Sequence, residues 1–167
     1  MTKENAGLQE HLQIQSEKTL PKWEELPDIE LYMDQVIALT NRYLGNRTKE
    51  KMLTSSMVNN YVKMKVMPAP VKKKYTRVHL IYLIVICVLK QVMPLSSVEI
   101  VLKDGLSQTD PQSFYSRFRE LYGAAFRSAA QETLSMTESG ATRIEAMLSL
   151  AMRAQAEQNL AEELLDL

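Results

Sequence analysis

Within the stretch LTSSMVNNYVK, Ser56, Asn59, Asn60 and Lys63 recur at three- and four-residue spacing, so in a helix they share one face. That face is short, rich in amides and free of acid. Such a set suits recognition: asparagine pairs with an adenine edge, and lysine with guanine or phosphate, when the helix lies in a major groove. Leu53, Met57, Val58, Tyr61 and Val62 fall on the opposite side, the expected buried face, and Thr54 is the expected N-cap. Pro68 and Pro70 end the helix and impose an extended connection. Lys72, Lys73, Lys74 and Tyr75, followed by Arg77, then offer charge and an aromatic hydroxyl to a phosphate backbone. The pattern predicts a helix-turn-helix followed by a small basic wing.

Charge is segregated along the chain. From Arg47 to Arg77 nine basic residues stand against one acid, Glu50, whereas the whole chain has 20 of each sign and a formal net charge of 0. A local balance of this kind is the electrostatic footprint of a nucleic-acid binder, although a lysine-rich loop can also serve only to keep a surface hydrated.

Other chemistries find little support. There is no phosphate-binding glycine loop, no nucleophile beside a base and no metal-ligand spacing, so an enzyme, a cofactor or a metal is not expected. His79 falls in a predicted first helical turn, where it could meet phosphate or simply cap the helix, and His11 is too remote in sequence to pair with it on a metal. Cys87 is the only cysteine and lies in an apolar run, which reads as an inert core thiol. Asp28, Glu30 and Asp34 are read as first-turn acids that complement a helix dipole, not as a catalytic pair. The N-terminus lacks the apolar core of a signal peptide, and the run from Leu80 to Leu89 is too short to span a bilayer; a cytoplasmic location with no membrane partner follows as the expectation.

The elements that position these residues are helical. A chain of 167 residues, 46% hydrophobic, with helical periodicity and almost no alternation, predicts a mainly α protein. Residues 1–22 read as a flexible polar arm, with Trp23 an anchor pinning it to the domain. Pro27-Asp28 opens a helix to Leu44, stopped by Gly45, with Ile29, Met33, Val36, Ile37 and Leu44 as its buried stripe. Thr76 caps a helix to about Gln91 that is apolar on every side and therefore central. Ser96 and Glu99 form a capping box, with Leu95 and Ile100 as the staple, for a short helix ending near Asp104-Gly105. Asp110-Pro111 starts another, with Phe114, Phe118, Leu121, Tyr122 and Ala125 on one face and Arg117, Arg119 and Arg127 on the other. A last helix runs from about Thr142 to Leu165, its apolar residues uneven. The expected division is a flexible arm over 1–22, a winged helix-turn-helix-like domain over 23–106 and a C-terminal helical hairpin over 107–167, available for dimerisation or packing.

From Leu26 to about Leu102 the chain resembles the bacterial family called domain of unknown function 1836, through LPDIELYMDQV, MVNNYVK, KKKYTR and LIYLIVICVLKQV. The resemblance implies a helix-turn-helix related to regulators of the mercury-resistance (MerR-like) type. Val58 to Tyr61 stands where those regulators have an arginine-tyrosine-tyrosine run, and Val66-Met67-Pro68 matches their leucine-leucine-proline. Tyr75-Thr76-Arg77 falls near their wing, and Leu95 to Leu102 matches the helix that follows. Asn59 replaces their arginine, and the wing glycine is absent. The resulting expectation is a DNA-binding transcriptional regulator. It is a homodimer on double-stranded DNA, using Ser56, Asn59, Asn60 and Lys63 for bases and Lys72, Lys73, Lys74, Tyr75 and Arg77 for phosphate. The alternative is a protein-interaction module reusing the fold, with a partner on the C-terminal helices.

Overall fold

The computed structural model describes residues 3–45 and 53–165, and for 3–6 the backbone alone. Among the described residues the chain is mainly helical. Its elements are α1 (Lys3–Ser16), a single 3-10 turn (Trp23–Glu25), α2 (Met33–Leu44), α3 (Ser55–Lys63), α4 (Arg77–Leu89), α5 (Leu95–Gln108), α6 (Pro111–Glu138) and α7 (Arg143–Glu163). The chain divides into two compact units, Pro21–Phe118 and a second made of Met1–Leu20 with Arg119–Leu167. Both differ in boundary from the expected three segments.

The Pro21–Phe118 unit is built around α4. Leu80, Ile81, Leu83, Ile84, Val85, Ile86 and Cys87 are all buried, as a helix apolar on every side requires. Each fully buried aliphatic side chain contributes roughly 1.5–3 kcal/mol. α2 and α5 pack on α4, and α3 packs on α2. The packed faces carry Val36 and Leu44 from α2, Val58 and Tyr61 from α3, and Val98 and Leu102 from α5. The one buried hydroxyl of α2, on Thr40, donates to the Val36 carbonyl at 2.8 Å and so is satisfied within its own helix. Burial pushes the Tyr61 phenol up to about 12, helped by the neighbouring Cys87, and the Cys87 thiol up to about 11. At neutral pH both are uncharged core groups.

Several local expectations give way to longer-range packing. The segment 27–32 is not the first turn of a helix, which starts only at Met33. It is non-helical, with a bend at Ile29, and Leu31 pairs in antiparallel fashion with Tyr75, each backbone N–H donating to the other's carbonyl at 2.8 Å. Ile29 is consequently exposed, and Asp28 and Glu30 lie outside any helix. The Ser96–Glu99 capping box does not form: α5 begins at Leu95 with Pro94 as its cap residue, and Ile100 is exposed. α5 also runs through Gly105 to Gln108. Gly105 is a contact residue, since a β-carbon there would collide with the Phe114 ring. On α6 the fully buried aromatic is Tyr115, whose hydroxyl donates to the Pro21 carbonyl at 2.9 Å, whereas Leu121 is exposed.

The second unit contains α1, the greater part of α6, and α7. The stretch expected as a flexible arm carries the 14-residue helix α1. The Arg119 Nε–H donates to the Leu20 carbonyl at 2.7 Å, and the Lys18 ammonium lies 5.2 Å from the Phe126 ring centre. Gly140, at φ +95, turns the chain between α6 and α7. Thr142 and Glu145 then form a reciprocal capping box that starts α7. Arg153 on α7 pairs with Glu132 on α6. The only buried side chain on α7 among its described residues is Ala146, while Ile144, Met147, Leu148, Met152 and Leu160 are each more than half exposed.

Candidate nucleic-acid interface

α3 starts where the sequence indicates. The Thr54 hydroxyl accepts from the Met57 N–H at 3.3 Å, and Val58 and Tyr61 go inward. Ser56, Asn59, Asn60 and Lys63 are all exposed on the face away from the core. The face spans roughly 10 Å at the usual helical rise. Ser56, Asn59 and Lys63 make no hydrogen bond or ion pair among the described residues, so their donors and acceptors meet solvent. Asn60 makes one weak contact, its amide lying 3.3 Å from the Met64 sulfur.

One residue that positions this helix is not singled out by the sequence reading. The Asn41 side chain on α2 donates to the Leu53 carbonyl at 3.1 Å and accepts from the Leu53 N–H at 2.9 Å. This two-point amide clamp fixes the entry to α3 on α2, in the manner of a strand pair. The connection 46–52, with Arg47, Lys49, Glu50 and Lys51, lies outside the described residues.

The basic strip separates into two kinds of residue. Val71 to Lys74 form a tight turn closed by the Lys74 N–H donating to the Val71 carbonyl at 2.9 Å. Its two central residues, Lys72 and Lys73, have φ of 49° and 64°. Positive φ at both central positions is the mark of a type I′ turn, which ordinarily takes asparagine and glycine. Here two lysines hold the strained conformation, and both side chains are exposed.

Lys74, Tyr75 and Arg77 are engaged with the protein itself. The Lys74 ammonium is 3.5 Å from the Glu30 carboxylate and 4.9 Å from the Tyr32 ring centre. The Arg77 guanidinium is 3.6 Å from the Asp28 carboxylate and sits 4.9 Å over the Trp23 ring. The Arg77 side chain is 17% exposed, and its buried Nε has no hydrogen-bond partner among the described residues. Of the three carboxylates expected to serve a helix dipole, Asp34 does lie in the first turn of α2, whereas Asp28 and Glu30 serve the basic strip. With Asp28 and Glu30 open to solvent, each pair contributes at most about 1 kcal/mol, and the aromatic contacts add roughly 0.5–2 kcal/mol.

Tyr75 corrects the expectation most sharply. It is 2% exposed, packed edge-on against His79 with ring centres 5.5 Å apart, and burial raises its phenol above the ordinary tyrosine value. Its side chain is a core anchor and not a surface hydroxyl for phosphate. His79 is likewise buried. Its Nδ1 accepts from the Thr76 N–H at 3.0 Å, which places the ring proton on Nε2, 3.4 Å from the Ala69 carbonyl. Burial lowers its pKa, partly offset by that carbonyl. It caps α4 as a neutral ring.

Among the described residues no group of histidine, cysteine and carboxylate side chains could hold a metal, and no helix is long and apolar enough to cross a membrane. The family model described as domain of unknown function (DUF1836) matches residues 21–124. No curated protein and no solved structure matches the chain.

Proposed function

Since the chain belongs to the DUF1836 family over residues 21–124, a match that takes in α2, α3, the lysine turn and α4, we propose that it is a DNA-binding transcriptional regulator. The observation that carries the reading is the outer face of α3. Ser56, Asn59, Asn60 and Lys63 stand exposed, without acid and almost without partners of their own, on a helix clamped at its start by Asn41. In this reading α2 and α3 act as a helix-turn-helix of MerR-like type, and the turn 71–74 is the tip of a short wing. Asn59 and Asn60 read adenine edges, Ser56 and Lys63 flank them, and Lys72 and Lys73 hold phosphate. Lys74 and Arg77 stiffen the wing from behind through Glu30 and Asp28, and reach phosphate only by exchanging those partners. The regulator acts in the cytoplasm as a homodimer, because one helix of nine residues reads too few base pairs alone. It has no catalytic role.

Fluorescence anisotropy of the full chain on pooled genomic DNA fragments, across a salt series, tests the reading. Binding whose log affinity falls linearly with log salt, by about 0.9 per neutralised phosphate, supports it. Negligible binding at low salt overturns it.

A second reading, a protein-interaction module reusing the fold, is favoured by the row of exposed apolar residues on α7. Partners that persist on an affinity bait after nuclease treatment, in a chain without DNA affinity, would select it.

A further inference from the structure

An open cleft of about 670 Å³ lies within the Pro21–Phe118 unit, between the turn that ends α3, one side of α4, and α5. The volume is in the range of small-molecule sites, roughly 300–1,000 Å³. Its apolar lining comes from Val62, Met67, Leu102 and Leu106. Two lysines border it from separate elements: Lys65, in the turn after α3 with φ of 63°, and Lys103 on α5. Neither is held in an ion pair among the described residues, although Glu99 lies one helical turn before Lys103 on the same wall. The charge of the cleft is therefore net positive over an apolar floor. Tyr82 also lines it; its phenol, protonated at neutral pH like any tyrosine and shifted further up by burial, is a donor there.

We infer that this cleft is a binding site for an amphipathic anion, a carboxylate carried on an aliphatic body. Its head is held between Lys65 and Lys103, and its tail lies along Val62 and Leu106, over the buried Met67 and Leu102. A neutral molecule of the same length gains the apolar burial but lacks the charge-assisted contacts with the two lysines, and is bound more weakly. The inference goes beyond DNA recognition and is read without DNA, so failure of one leaves the other standing.

The test is NMR of the full chain labelled at the methionine methyl groups, titrated with octanoate and separately with 1-octanol. Met67, buried in the cleft wall, reports binding there; Met147 and Met152, exposed on α7, report indiscriminate apolar association. The expected result is a saturable shift of the Met67 methyl with octanoate, no comparable shift at Met147 or Met152, and affinity for octanol at least roughly tenfold weaker. Lys103→Gln, at an exposed site, should weaken octanoate by a similar factor while leaving octanol unchanged. Equal shifts at all three methionines, octanol binding as tightly as octanoate, or unchanged octanoate affinity in Lys103→Gln would each overturn the assignment.

Discussion

Replacing Lys72 with Asn and Lys73 with Gly should stabilise the protein while weakening its proposed hold on DNA. Both lysines hold positive φ at the centre of the turn closed by the Lys74 N–H on the Val71 carbonyl. A side-chain-bearing residue in that region costs roughly 1–2 kcal/mol, because Cβ crowds the carbonyl that follows. Asparagine tolerates the conformation and glycine adopts it freely, so most of the strain at two positions is relieved. The added freedom of glycine in the unfolded chain takes back roughly 0.5–1 kcal/mol. A net gain of about 1 kcal/mol remains, worth roughly 4–8 °C in Tm for a unit of this size. On DNA the same change removes two cations, and the slope of log affinity against log salt should become shallower by about 0.9 for each phosphate that is no longer neutralised. Thermal unfolding and anisotropy on one preparation measure both. A lower Tm would mean that the lysines hold interactions worth more than the strain, and an unchanged slope would mean that they do not touch phosphate. Opposite signs for stability and binding are what strain retained for a charged tip requires.

Asn41→Ala removes both bonds to Leu53 and leaves a half-buried peptide unsatisfied; a loss of roughly 1–3 kcal/mol in urea unfolding is expected, with weaker specific DNA binding because α3 loses its anchor. His79 should introduce a pH step. Its folded-state pKa lies below the ordinary value of 6.5, so the unfolded chain binds the extra proton first. Stability is then fully present above about pH 6.5 and erodes as pH falls through the folded value, ahead of the carboxylates. His79→Gln keeps an acceptor for the Thr76 N–H and should flatten that step in denaturation curves recorded from pH 7.5 downward, taken at about half-unit intervals; a step that persists would assign it to another group.

What could be read from the sequence was local. α3 is legible because a capping threonine and three- and four-residue spacing are both set within one short stretch, and α4 because its apolar run leaves no face for water. What escaped depends on distant partners. Asp28 and Glu30 carry the ordinary marks of a helix start, yet the backbone of Leu31 finds a better partner in Tyr75, and the acids then meet Arg77 and Lys74. Tyr75 follows three lysines, which suggests a surface, but the same pairing draws it into the core. Tyr115 and not Leu121 is buried on α6, and its hydroxyl is satisfied by the Pro21 carbonyl, 94 residues away in sequence. Ser96 and Glu99 have the spacing of a capping box, but Leu95 already lies inside α5. Of the candidate site, the exposed face of α3 and the tip lysines are where the sequence puts them. The division between exposed Lys72 and Lys73 and the engaged Lys74 and Arg77 needed the fold.

The central claim is that the outer face of α3 reads bases while the turn holds phosphate. Its most direct measurement compares Asn60→Ala with Lys73→Ala on the DNA fragment retained at highest salt and on random DNA. Asn60→Ala should lower discrimination at one base pair by roughly 1–3 kcal/mol and leave random DNA nearly untouched. Lys73→Ala should weaken both DNAs alike and make the salt slope shallower by about 0.9. Equal losses on specific and random DNA from both variants would contradict the division of roles between the helix and the turn.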